Sequence, residues 1–95
     1  MAYMFNNCVK LTSLNLIHFD TSKVTTLAGM FGSAIKITSL DLSSFKSSLV
    51  ENMATMFANC ESLLYLKITN FDFSRVTAMS STFSRCISLT SIDVN

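Results

Sequence analysis

Leu11-Thr12-Ser13-Leu14-Asn15-Leu16 reads L-x-x-L-x-L. It returns as Ile37-Thr38-Ser39-Leu40-Asp41-Leu42, as Leu63-Leu64-Tyr65-Leu66-Lys67-Ile68 and as Leu89-Thr90-Ser91-Ile92-Asp93-Val94. Successive copies are 26 residues apart, and other columns keep the same step: Phe5, Phe31, Phe57 and Phe83; Phe19, Phe45 and Phe71; Val24, Val50 and Val76. No insertion breaks the register. A fixed period of this length marks a repeat architecture, because one such unit cannot bury its apolar face alone and stacking on its neighbours does so. The 95 residues hold about three and two-thirds units, near 4–29, 30–55, 56–81 and 82–95, and read as a single domain.

Two periodicities lie inside each unit. Alternation over Leu14-Asn15-Leu16 is that of a strand, with Leu14 and Leu16 inward and Ser13, Asn15 and Ile17 outward. Strands are predicted near 12–16, 38–42, 64–68 and 90–94. The other half changes period: Val24, Leu27, Met30 and Phe31 fall on one face of a helix, as do Val50, Met53, Met56 and Phe57, and then Val76, Met79, Thr82 and Phe83. Helices are predicted near 24–33, 50–59 and 76–85. Ser22, Ser48 and Ser74 precede them as N-caps, and Ser48-Leu49-Val50-Glu51 spells a capping box. The expected fold is α/β: a right-handed leucine-rich-repeat solenoid, with a parallel strand ladder on one face and short helices on the other.

Composition narrows the functional classes. The chain is 49% hydrophobic and 14% charged, with a formal net charge of +1. That balance excludes a disordered tail and gives no electrostatic case for nucleic acid. No run approaches the ~18 apolar residues of a membrane span, so direct membrane insertion is not expected. Met1 to Phe19 lack the basic start and apolar stretch of a signal peptide.

The chemistry-bearing residues are few. Cys8, Cys60 and Cys86 share a column with Ala34. Neighbours in such a column come within disulfide range, but Ala34 also reads the column as a small buried position, where free thiols are common. No Cys-x-x-Cys or Cys/His cluster suggests zinc, and no cofactor is expected. His18 is the only histidine. Asp20 and Cys8 are its nearest partners for nucleophilic chemistry, yet Cys8 belongs to an inward column while His18 lies in the turn after a strand. Asp41 and Asp93 flank Lys67 two rungs apart at roughly 9–10 Å, a glycosidase-like separation that the repeat itself produces. No enzyme is predicted. The outward strand face is the candidate binding surface: Ser13, Asn15 and Ile17; Ser39, Asp41 and Ser43; Tyr65, Lys67 and Thr69; Ser91 and Asp93. Tyr65 and Lys67 are its expected anchors, because aromatic side chains contribute strongly to interfaces. A plain solvated face fits the same residues.

Met56-Phe57-x-x-Cys60-x-x-Leu63-x-x-Leu66-x-Ile68-x-x-Phe71-Asp72 resembles the repeat of the BspA-like leucine-rich repeat surface proteins, in the variant built on Met-Phe-x-x-Cys and Phe-Asp-Thr-Ser-x-Val-Thr. Phe19-Asp20-Thr21-Ser22-Lys23-Val24-Thr25 matches the second phrase throughout. Ala34 in place of Cys, Thr82 in place of Met and Lys46 in place of Asp depart from it, and Thr82 is expected to put a polar group where a thioether packs. The resemblance implies a microbial cell-surface or secreted protein, adhesive toward a protein or glycan. An intracellular protein-interaction scaffold and a structural spacer without a ligand remain open beside it. Met1 shares its column with Leu27, Met53 and Met79, and no polar cap closes either end. A slice of a longer array is therefore expected, with end-to-end self-association through uncapped units.

Overall fold

The computed structural model describes residues 2–12 and 14–94; Met1, Ser13 and Asn95 lie outside the described residues. Three strands form one sheet: β1 (Ser39–Asp41), β2 (Tyr65–Lys67) and β3 (Ser91–Asp93). They run parallel in the order β1-β2-β3, with Ser39, Tyr65 and Ser91, then Leu40, Leu66 and Ile92, then Asp41, Lys67 and Asp93 directly opposite one another. Each falls inside a predicted span. The fourth predicted strand, near 12–16, does not form: Thr12 and Leu14 to Leu16 lie in no strand, and Ser13 lies outside the described residues. The alternation holds in β1 and β2, with Leu40 and Leu66 buried between outward-facing neighbours, whereas in β3 the corresponding Ile92 is exposed.

The helices do not form. Among the described residues there is no helix, so the fold is a stack of helix-free coils and not an α/β solenoid. Hydrogen bonding in 27–34 shows why the spacing misleads. The N–H groups of Met30, Gly32 and Ala34 close tight turns on the carbonyls of Leu27, Gly29 and Phe31, three residues back. The intervening N–H groups, those of Leu27, Gly29, Phe31 and Ser33, leave the segment altogether. They donate to Asn52, Ala54, Met56 and Ala58 in the next coil, at 2.7–2.9 Å. Residues 53–60 repeat the alternation against Ala78, Ser80, Thr82 and Ser84. A helix over 24–33 would keep the N–H groups of Gly29, Phe31 and Ser33 to itself. Tandem turns of this pitch still point Leu27, Met30, Phe31 and Ala34 inward, all at most 1% exposed. Apolar residues spaced by three and four therefore fit either structure, and only the destination of the N–H groups separates them.

With no helix present, Ser22, Ser48 and Ser74 cap nothing. The backbone N–H groups of Ser22 and Ser74 instead donate to the carboxylates of Asp20 and Asp72, two residues back. Glu51, the last residue of the expected capping box, donates its N–H to the Thr25 carbonyl of the preceding coil.

The turns demand left-handed backbone at their third residue, as in a type II turn. Gly29 meets this at φ 61°, but the same column holds Tyr3, Thr55 and Ser81 at 57–59°. A Cβ at Gly29 would also overlap the Tyr3 ring. Thr55 is the costly member, since a β-branched side chain is disfavoured there by about 1–2 kcal/mol. Thr55→Asn is expected to stabilise the fold by about 0.5–1 kcal/mol, because asparagine tolerates this region. Chemical denaturation checks it, and a destabilised variant would show that the Thr55 side chain contributes packing that outweighs its strain.

The core lies between the sheet and the turns. Phe5, Phe31, Phe57 and Phe83 form a continuous stack with ring centroids 5.6, 5.8 and 5.5 Å apart and planes within 11° of parallel. Phe45 and Phe71 form a second stack at 6.4 Å. Leu40, Leu66, Met30, Met56, Ile37 and Leu63 fill the space between them.

Candidate surface for ligand binding

The outward strand residues are brought together as a ladder. Ser39, Tyr65 and Ser91 form one exposed row; Asp41, Lys67 and Asp93 form the next, with Lys67 and Asp93 half-buried. Unlike charges adjoin along that row. Tyr65 Oη donates across to Asp93 Oδ2 at 3.5 Å, which ties the aromatic to the acidic residue of the neighbouring rung. In the first rung Asn15 and Ile17 are exposed, and the Asn15 side chain accepts the Ile17 N–H; Ser13 lies outside the described residues. Ser43 and Thr69 are half-buried at the turn that follows each strand.

After β1 that turn is built by a carboxylate, whereas after β2 Lys67 holds the equivalent position. Asp41 Oδ1 accepts both the N–H and the hydroxyl of Ser43, at 2.9 and 2.6 Å, folding the chain away from the strand. At a different turn, further round the first coil, Asp20 Oδ1 accepts the N–H and the hydroxyl of Ser22 at 3.0 and 2.7 Å. These bonds favour the ionised forms: the Ser43 hydroxyl, then its N–H, then more weakly Lys67 hold Asp41 below its usual pKa. Ser22 and, more weakly, Lys46 hold Asp20 down, as Ser74 does Asp72.

Beyond the turns the surface dips twice. One hollow of about 390 Å³ is lined by residues 17–22 with Ser44 and Lys46. Another of about 430 Å³ is lined by residues 43–48 with Asn70 and Asp72. Every lining position of the second is 26 residues beyond its counterpart in the first, so this is one polar hollow repeated coil by coil, with Ser44 and Lys46 shared between the two. His18, Asp20 and Ser22 line the first hollow, whereas Cys8 does not. The three do not form a catalytic relay: Ser22 donates directly to Asp20, and the imidazole does not stand between them.

Two residues that spacing did not single out support this corner. Thr21 and Ser47 are buried hydroxyls of one column. Thr21 Oγ1 accepts the Lys46 N–H at 2.7 Å and donates to the Lys46 carbonyl at 3.3 Å, while Ser47 Oγ accepts the Asp72 N–H at 2.7 Å. Their one sequence signal is a small hydroxyl recurring at 21 and 47. In the next unit Phe73 takes the place and is exposed.

The thiols are free. Cys60 and Cys86 each donate Sγ–H at 3.1 Å to a carbonyl of the preceding coil, those of Phe31 and Phe57. Thr82 is likewise satisfied, donating to Met53 and Met79, so its hydroxyl is not stranded in the core as its column suggested. Burial pushes the Cys60 thiol up to about 12, and Cys86 is raised for the same reason. A thiol that ionises later in the folded state contributes stability below its unfolded pKa of about 9, and that contribution is lost as pH rises toward 12. The urea midpoint is expected to fall more steeply between pH 8 and pH 10.5 in the native chain than in Cys60→Ala, a substitution that Ala34 already makes in its own coil. Parallel pH profiles would place the Cys60 thiol in contact with water.

Among the described residues no group of three or more His, Cys, Asp or Glu could hold a metal ion, and no helix is long and apolar enough to cross a membrane. The model of one family, described as Mycoplasma protein of unknown function, DUF285, matches residues 1–94. No curated protein and no solved structure matches the chain.

Proposed function

The chain belongs to the DUF285 family, and within that family we propose that it is a non-catalytic binding module whose outward strand face receives a protein or glycan ligand. One observation carries the reading. The rows Ser39–Tyr65–Ser91 and Asp41–Lys67–Asp93 are in exact register on the side of the sheet that takes no part in the core. A ligand lying across the strands would meet an aromatic ring, both signs of charge and several hydroxyls within three rungs. The polar hollows at the strand ends extend that surface without a break in character. The resemblance to BspA-like repeats supports placing the module on a cell surface or in a secreted protein.

Tyr65 and Lys67 are the anchors in this proposal. Tyr65→Ala with Lys67→Ala is expected to lower binding to microbial or host surface preparations at least tenfold. Stability should move by no more than about 0.5 kcal/mol, since both side chains face outward. Glycan and protein arrays probed with the native chain and the double variant make the measurement. Binding unchanged in the double variant would remove the strand face as the site; binding absent from the native chain as well would favour a structural spacer.

A further inference from the structure

Ahead of the row that holds Asp41, Lys67 and Asp93, three coils carry the same pair: Thr12-Ser13, Thr38-Ser39 and Thr90-Ser91. The third coil carries Leu64-Tyr65 instead. Lys67 departs as well, in a column otherwise held by Asn15, Asp41 and Asp93. The inward positions of the same stretch do not depart: Leu63, Leu66 and Ile68 keep their apolar columns and are buried. Change is thus concentrated on the outward side of one strand.

The fold does not call for these letters. The Leu64 N–H donates to the Thr38 carbonyl at 2.8 Å, and the Leu64 carbonyl accepts the Thr90 N–H at 3.1 Å; both bonds come from the backbone alone. Thr90 adds a third, from its hydroxyl to the Leu64 carbonyl at 3.2 Å. A threonine at 64 would stand in the same relation to the Thr38 carbonyl, so leucine forgoes a hydrogen bond. It also leaves apolar surface in water: Leu64 is 48% and Tyr65 36% exposed. β2 has a paired strand on either side, so this exposure belongs to the outward face itself. A single exposed leucine carries little weight. An aliphatic and an aromatic neighbour, bordered by the hydroxyl residues Thr38, Ser39, Thr90 and Ser91, have the make-up of a protein interface, an apolar centre inside a polar rim.

Building on the strand face as the binding surface, we infer that its ligand is a protein segment and that Leu64, beside Tyr65, selects it. The segment seats an apolar side chain on this pair. An aliphatic group offers sugar hydroxyls no hydrogen bond, whereas an apolar neighbour releases water from both surfaces. Charge sets the flank of the segment. Asp41 and Asp93 stand on either side of Lys67, so the row carries one more negative charge than positive. A segment with a basic residue toward Asp41 and a backbone carbonyl toward Lys67 complements it.

Selection from a random peptide library displayed on phage, with the native chain as bait, is expected to return sequences that pair an apolar residue with a neighbouring lysine or arginine. Leu64→Thr, which installs the residue of the other three coils, is expected to bind them about tenfold more weakly or worse. Leu64→Met is expected to retain most of the affinity. The urea midpoint of Leu64→Thr should match or exceed that of the native chain, because the fold loses nothing. Peptides that bind Leu64→Thr as well as the native chain overturn the proposal, and so does a library that yields no binder. A Leu64→Thr midpoint well below the native one also overturns it, by making Leu64 a packing residue. A glycan array keeps the two readings apart. Glycans bound alike by the native chain and Leu64→Thr, but lost with Tyr65→Ala and Lys67→Ala together, would overturn the protein ligand and leave the strand face standing.

Discussion

Phe57→Ala is expected to lower the unfolding free energy by about 3–5 kcal/mol, the cost of emptying a fully packed aromatic site. Phe57 is fully buried and stacked on both sides, against Phe31 at 5.8 Å and Phe83 at 5.5 Å. The rings come from three successive coils, so the loss interrupts the four-ring stack of Phe5, Phe31, Phe57 and Phe83 at an interior position. A chain of this length commands about 5–14 kcal/mol in total, so the variant forfeits at least a fifth and up to all of it. Phe83→Ala is the control. Its ring is 38% exposed and has a single stacked neighbour, so about 1–2 kcal/mol is expected. Urea unfolding of both variants measures the difference. Equal losses would mean that the stack contributes no more at its centre than at its end.

Thr21→Val should cost about 1–3 kcal/mol although it keeps the shape of the side chain. The Thr21 hydroxyl is the acceptor for the Lys46 N–H, and valine leaves that donor facing an apolar wall. Thr82→Val is expected to be near neutral, although Thr82 is buried to a similar degree. Its hydroxyl only donates, to the carbonyls of Met53 and Met79, and both keep backbone partners in the N–H groups of Met56 and Thr82 itself. The contrast rests on a general asymmetry: orphaning a donor carries its full desolvation cost, whereas an acceptor with a second partner loses little. Thermal unfolding of the two valine variants side by side decides it. Similar losses would show that side-chain volume, and not the Lys46 N–H, governs the site.

The repeat length, the inward columns and the strand register were legible in the sequence because each depends only on which residues recur. Leu40, Leu66 and Ile92 stand opposite one another as their 26-residue spacing requires, and Asp41, Lys67 and Asp93 follow. The helices were misread because apolar spacing reports side-chain direction and is silent on where the N–H groups go. Thr55 at φ 57° and Ser33 at φ 60° carry no letter that signals a left-handed turn, as a glycine would. Gly29 and Asn59, each at such a position, were the available hints. Of the surface, the strand rows could be read in advance. The hollows could not, because they are made by backbone turning at Asp20 and Asp41 and held by the hydroxyls of Thr21 and Ser47, residues of a type found all over this chain.

The alternation of turn-closing and axial N–H groups also limits how the gene can change. One residue inserted between 27 and 34 would hand every later donor in the segment the opposite task, turning axial bonds into turn closures and inward side chains outward. The neighbouring coils on both sides would inherit the mismatch, since each reads its partner at a fixed offset. Small insertions and deletions are thus tolerated only at corners such as Ser43-Ser44 or Thr69-Asn70, where strand and turn exchange direction. Lengthening by duplication of a whole 26-residue unit exchanges partners but keeps the backbone bonding pattern intact. Descent in this lineage should accordingly proceed in quanta of one coil, with drift in the letters and almost none in the count.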